Sequence, residues 1–296
     1  MEKSDIQSKI GGTPLIQLCQ LDGGAEIYGK AEWYNPSGSV KDRTALYILM
    51  GAMSRGEVRR GGRIVEASSG NLGISLAMLG AHYGIDVTVV MPEGVSDSRI
   101  RLIGFYGGKV ILTERSEGMN GAIREAVRLS KESGAYYPAQ FENPDGARAH
   151  EETTAPEICE ALQGLPDALV AGVGTGGTLT GAARYLKARG ACEIIAVEPS
   201  ECAVLCRGAA ASHGIAGIGA GFVPRVLDTS LIDRVIGVST VDALSLFASL
   251  PFELGIAAGI SSAAALIAAM RIGREEKFDG KKIAVILPDG RDRYES

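Results

Sequence analysis

The sequence has 296 residues, 46% hydrophobic and 22% charged. That is enough to bury a large core and, at a length near the roughly 250–300 residues where single cores stop growing, to divide into two domains. The formal net charge of −5 argues against nucleic acid or an anionic membrane as the main partner, since both need a basic footprint, and a small molecule is expected instead.

The opening run MEKSDIQSKIGG carries no apolar segment of the kind a secretory signal needs, so the expected location is cytoplasmic. Cys19, Cys159, Cys192, Cys202 and Cys206 form no CxxC pair, and His82, His150 and His213 lie far apart in sequence. Neither a zinc site nor a disulfide framework is expected.

The run Asn35–Arg43 (NPSGSVKDR) leads into a helix expected to begin near Thr44. Lys41 stands at that helix start, where the positive end of the dipole disfavours a second positive charge. With partial desolvation, such a site lowers the amine and favours the neutral form that condenses with an aldehyde. The plain alternative is a solvated lysine offset by neighbouring Asp42.

Further along, Arg63–Glu66, Asp86–Met91, Lys109–Leu112, Ala168–Val173, Glu193–Val197 and Lys282–Leu287 are short apolar runs that predict buried strands. Residues 71–83, 96–106, 119–131 and 178–188 have apolar positions at helical spacing. The alternation predicts an α/β fold with mostly parallel sheets. Such sheets hold ligands in loops beyond the carboxyl ends of their strands. Three loops have unusual composition: Ser68–Asn71, Gly174–Thr178 and Asn35–Arg43. The stretch Phe141–Arg148 (FENPDGAR) reads as a loop between domains, giving residues 1–145 and 146–296, with the first strand region free to join the second domain.

Gly172–Gly177 (GVGTGG) follows a predicted strand and opens a predicted helix, so its backbone N–H groups and the helix dipole make an anion site. The same residues satisfy GxGxxG, and Glu198 ends the next strand about where a ribose-binding acid stands in a nicotinamide dehydrogenase. The glycine loop alone leaves both readings open, together with a simple tight turn. A dehydrogenase needs a second site for hydride chemistry, whereas pyridoxal phosphate (PLP) needs a lysine, a ring-nitrogen partner and a phosphate cradle. Residues 254–270, uncharged but shorter than the ~20 residues of a spanning helix and rich in Ala, Gly and Ser, predict a helix packed closely on a sheet.

NPSGSVKDR resembles the lysine motif of fold-type II PLP enzymes, in particular the cysteine synthase (O-acetylserine sulfhydrylase) family. Other blocks are similar in the same order: IGGTPLIQL at Ile10–Leu18, ASSGNLG at Ala67–Gly73, QFENP at Gln140–Pro144, GVGTGGTLTG at Gly172–Gly181, GIGAGFVP at Gly217–Pro224, GISSAAA at Gly259–Ala265 and ILPDGRDRY at Ile286–Tyr294. The resemblance implies two α/β domains of the tryptophan synthase β type, with Lys41 carrying the cofactor as a Schiff base and the phosphate and pyridine nitrogen held from the C-terminal domain. It implies Asn71 on the ring hydroxyl and Gly174, Thr175, Gly176, Gly177 and Thr178 around the phosphate. Ser261 would face the pyridine nitrogen. Ser68, Ser69, Asn71, Leu72 and Gln140 would form the substrate carboxylate site. The implied reaction is β-replacement, giving L-cysteine from O-acetyl-L-serine and sulfide through an aminoacrylate. The implied partners are a second copy of the chain and the C-terminal tail of a serine acetyltransferase.

Three departures stand out. Leu72 replaces the threonine of TSGNTG and is expected to weaken or redirect carboxylate recognition; Ala263 replaces a glycine; and the chain stops at Ser296, where relatives often continue. A cysteine desulfhydrase or cystathionine β-synthase would use the same machinery, although Ala220 is closer to the sulfhydrylase pattern. A PLP-binding interaction protein without turnover is the non-catalytic alternative.

Overall fold

A computed structural model describes residues 5–294. Met1–Ser4, part of the run read for targeting, and the closing Glu295–Ser296 lie outside the described residues. In chain order the elements are β1 (Leu15–Gln20), β2 (Glu26–Ala31), α1 (Lys41–Ser54), β3 (Arg63–Ala67), α2 (Asn71–Tyr83), β4 (Asp86–Pro92), α3 (Asp97–Phe105), β5 (Lys109–Thr113) and α4 (Gly118–Ser133). There follow α5 (Asp145–Ala149), α6 (Ala155–Leu162), β6 (Ala168–Gly172), α7 (Gly177–Lys187), β7 (Glu193–Pro199), α8 (Val204–Arg207), β8 (Arg234–Val238), α9 (Thr240–Glu253), α10 (Ile260–Ile272) and β9 (Lys282–Leu287).

The strands form a six-stranded sheet, ordered β1-β2-β9-β6-β7-β8, and a three-stranded sheet, β3-β4-β5. Every pairing is parallel except that of β1 with β2. Apolar clusters cover both faces of the larger sheet, one built with α9 and α10 and the other with α6 and α7. The smaller sheet packs α1, α2 and α3 on one face and α4 on the other. This is the α/β architecture that the alternation predicts.

All six predicted strands form, whereas β1, β2 and β8 were not apparent in the apolar pattern. In β2 the signal is broken by Gly29 and Lys30. A Cβ at Gly29 would stand 2.5 Å from Leu287 Cδ1 on the adjoining strand, so a side chain there would force the leucine to move. Lys30 is 1% exposed and pairs with Glu157 at 2.6 Å, which makes a charge tolerable in a buried strand.

Two expectations are corrected. FENPDGAR is a loop only to Pro144; Asp145 begins α5, which continues through a π-helical turn, His150–Thr154, into α6. Within residues 254–270, only those from Ile260 onward are helical, because Gly255 takes φ +67 and Gly259 caps α10 in extended backbone. Ala263 falls inside α10 and is fully buried, so its alanine occupies ordinary helical backbone. Among the described residues no helix is long and apolar enough to cross a membrane.

Candidate active site

A cavity of about 570 Å³ opens between the two sheets' loops and is bordered by Lys41, Ser68, Ser69, Asn71, Leu72 and Gln140, and also by Gly174, Thr175, Gly176, Thr178 and Ser261. All the sequence-predicted residues but one therefore share one space. The exception, Gly177, begins α7 one layer back, its would-be Cβ 3.3 Å from the Gly146 carbonyl carbon.

Lys41 is the first residue of α1. Desolvation lowers its amine to about 8, against the opposing pull of Asp289. Asp42 is not the balancing acid: it accepts from Ser37 N at 2.6 Å, from Ser75 Oγ at 2.6 Å and from Ser37 Oγ. Arg43 is 1% exposed and donates to Glu32 (2.8 Å) and Glu157 (2.6 Å). These two anchors, the residues that directly follow Lys41, fix the first turn of α1 against the rest of the fold. Removing one partner of such a buried pair costs about 3–5 kcal/mol.

In the serine loop, Ser68 Oγ accepts from the backbone N–H groups of Gly70 (3.1 Å) and Gly73 (3.2 Å) at the start of α2. Ser69 is the more exposed serine. Asn71 donates through Nδ2 to Asp289 Oδ2 at 2.6 Å, while its Oδ1 has no partner within the protein. Leu72 borders the cavity yet is 1% exposed and belongs to the core beneath the smaller sheet. Gln140 donates to the Ala67 carbonyl at 2.7 Å.

The glycine loop is backbone built against backbone. A Cβ at Gly174 would lie 2.4 Å from the Gly217 carbonyl oxygen, and Gly176 takes φ +83 with its would-be Cβ 2.6 Å from Leu227. The loop ends at the N-terminus of α7, whose first N–H groups have no intrahelical acceptor and attract an anion. Behind it, His150 Nε2 lies 3.2 Å from Thr178 Oγ1 and 3.3 Å from Thr44 Oγ1, and Nδ1 lies 2.8 Å from Thr154 Oγ1. Burial holds this imidazole well below its ordinary range, in the neutral form. Ser261, in the first turn of α10, is 2% exposed, with its hydroxyl against that of Tyr294.

Glu198, weighed as a ribose-binding acid, is 2% exposed and accepts from Leu205 N (2.8 Å) and Cys206 N (3.0 Å). It is consumed by the start of α8, which removes the feature that favoured a dinucleotide. A desolvated lysine, an unpartnered Asn71 oxygen and a glycine cradle that tolerates no Cβ fit PLP. Asp289, Tyr294 and Arg99 also border the cavity and were not singled out in the sequence. Asp289 lies just beyond the carboxyl end of β9, so the strand-end rule that flagged the other loops applies to it equally.

Fold and cavity together define a PLP enzyme of the two-sheet, fold-type II kind. Residues 6–289 match the family of pyridoxal-phosphate dependent enzymes. The chain belongs to this family and, within it, to the cysteine synthases. It is 42% identical over 294 residues to a cysteine synthase of Staphylococcus aureus, covering 98% of this chain and 94% of that one. Its structure is similar to the cysteine synthase of Entamoeba histolytica (TM-score 0.94, 39% identity, 99% and 89% of the two chains). It is equally similar to a hydrogen sulfide-producing enzyme of Fusobacterium nucleatum (TM-score 0.95, 37% identity, 99% and 100%).

Proposed function

We propose that this chain synthesises L-cysteine from O-acetyl-L-serine and sulfide. The observation that carries the proposal is the convergence of Lys41, the glycine cradle, Asn71 and Ser261 on one cavity, where burial favours the neutral amine of Lys41. Kinship with the cysteine synthases supplies the substrate.

Bound PLP supplies electron withdrawal from the substrate α-carbon, which lets the α-proton and then the β-substituent depart. Gly174, Thr175, Gly176 and Thr178 would hold its phosphate at the N-terminus of α7, with Gly177 reaching it only through its backbone N–H, and Asn71 and Ser261 would address its ring. Ser69 and Gln140, with Ser68, Asn71 and the backbone at Leu72, receive the substrate carboxylate. Lys41 Nζ takes the α-proton, which requires the neutral amine that its desolvation favours. Ser261 offers the ring nitrogen a hydroxyl rather than a carboxylate and so does not hold a proton there. That limits electron withdrawal and favours prompt elimination of the β-substituent.

We extend the proposal to a cytoplasmic homodimer and to a serine acetyltransferase C-terminal tail that competes for the cavity. The deciding experiment adds a panel of amino acids to the yellow holoprotein and follows visible absorbance, with sulfide consumption and cysteine formation measured alongside. O-acetylserine should give the largest change and cysteine the product. Sulfide release from cysteine with no response to O-acetylserine would make the chain a desulfhydrase instead. Borohydride reduction should fix the cofactor to the Lys41 peptide, and label on another lysine overturns the assignment.

A further inference from the structure

Lys41 and Asp289 border the same cavity, and Asp289 is the acid whose charge opposes the desolvation of the Lys41 amine. Backbone contacts bring their two segments together: Val40 N–H donates to the Pro288 carbonyl at 2.8 Å, and Ser39 forms an antiparallel bridge with Asp289. Asp289 is 1% exposed. Asn71 Nδ2 donates to its Oδ2 at 2.6 Å, and the Tyr294 hydroxyl lies 3.0 Å and 2.9 Å from its two oxygens. Its backbone oxygen is also fastened, by Gly259 N–H at 2.9 Å. Charged and polar groups from each neighbouring element border the same cavity: Lys41 from α1, Asn71 from α2 and Arg99 from α3, with Arg293 and Tyr294 from the segment after β9.

Burial pushes the Asp289 carboxyl up, while Asn71, Arg99, Tyr294 and Arg293 all oppose that rise. Two donors and two guanidiniums are the surroundings of a carboxylate, because each favours the charged form. Removing its charge would leave Lys41, Arg99 and Arg293 bordering one cavity with no carboxylate facing them.

We propose that Asp289 is the buried counter-charge of Lys41, a positioning residue that sets how readily the Lys41 amine becomes neutral and so how fast it captures a carbonyl compound. The inference rests on the assignment of Lys41 as the cofactor lysine. A negative charge beside an amine favours its protonated form. Asp289 thus holds Lys41 partly in reserve, against a desolvation that acts in the opposite direction.

The test uses the full chain stripped of PLP and follows growth of visible absorbance when PLP is returned between pH 6 and 9.5. In the parent, the capture rate should rise with a midpoint near 8. Asp289→Asn should move that midpoint down by about one pH unit, making capture at pH 7 about fivefold faster as the neutral fraction grows. Asp289→Ser, which removes the charge with a smaller side chain, should shift it in the same direction and serves if the Asn variant does not fold. Tyr294→Phe keeps the carboxylate while removing one of its donors and should move the midpoint much less than Asp289→Asn. An unmoved or raised midpoint in the charge-removing variants, or an equal shift in Tyr294→Phe, overturns the proposal while leaving Lys41 as the cofactor lysine. Failure of the parent to capture PLP at Lys41 overturns both.

Discussion

The carboxamide of Gln140 donates to the carbonyl of Ala67 at 2.7 Å, fastening a residue expected at the substrate carboxylate to the strand end just before the serine loop. The same turn is tied from below. Glu66, fully buried near the end of β3, accepts from Ala67 N at 2.8 Å, and the backbone N–H groups of Ala139 and Gln140 also point at its carboxyl. Ala139 takes φ +54, a left-handed conformation uncommon outside glycine. Successive N–H groups converging on one acid explain why it is tolerated.

Glu66 makes folding stability depend on pH. Burial raises its carboxyl from 4.5 to about 8, so the folded chain retains a proton that the unfolded chain releases. The stability this provides is fully present below pH 4.5 and is lost as pH rises through about 8. Urea midpoints measured from pH 5 to 9 should fall for the parent, with a slope from this group of at most about 1.4 kcal/mol per pH unit. In Glu66→Gln the fall should be shallower. Equal slopes would mean that Glu66 is ionised throughout.

Leu72→Thr separates packing from recognition. The side chain is 1% exposed within an apolar cluster, so threonine should cost about 1–3 kcal/mol in stability by removing apolar volume and burying a hydroxyl. The O-acetylserine concentration for half-maximal response should change by less than threefold, because the backbone N–H is common to both residues. A fall of tenfold or more would show that a side-chain hydrogen bond to the carboxylate, worth roughly 1.5–3 kcal/mol, had been missing.

Ser261→Asp should place a carboxylate at the ring nitrogen, keep it protonated and slow elimination of the β-substituent relative to competing outcomes. Rapid mixing with O-acetylserine measures this. Elimination as fast as in the parent would remove Ser261 from the ring or disprove the electronic reasoning.

Gly174→Ala tests the cradle. Its methyl would stand 2.4 Å from the Gly217 carbonyl oxygen, so one of the two loops must move. Retention of PLP on dialysis should fall at least tenfold, with the fold preserved by circular dichroism. Full retention would place the phosphate elsewhere.

Much of the site was legible because its residues follow strands in an α/β alternation, and loops at those positions carry ligands by topology. The glycine loop could be found in this way, whereas Lys41 was singled out by its place at a helix start and by the resemblance of NPSGSVKDR. Asp289 was overlooked although it lies in the ILPDGRDRY block, because its importance comes from contact with residues near 40 and 71. His150 was dismissed as one of three scattered histidines, yet it stands against Thr178, 28 positions away. β2 was invisible because its glycine and lysine are explained only by Leu287 and Glu157.

The strand order carries a consequence for biosynthesis. β9, made after every other strand of this chain, lies between β2 and β6 in the larger sheet. Until the ribosome has delivered it, β1 and β2 have no attachment within the sheet to β6, β7 and β8, and the segment that holds Lys41 lacks the Pro288 carbonyl that Val40 binds. Before then only contacts outside the sheet, such as those of Lys30 and Arg43 with Glu157, link the two parts, and a competent cavity is expected only when the final strand is inserted. A premature stop codon just ahead of Lys282 would abolish the enzyme outright, even though more than nine-tenths of its residues would already be in place.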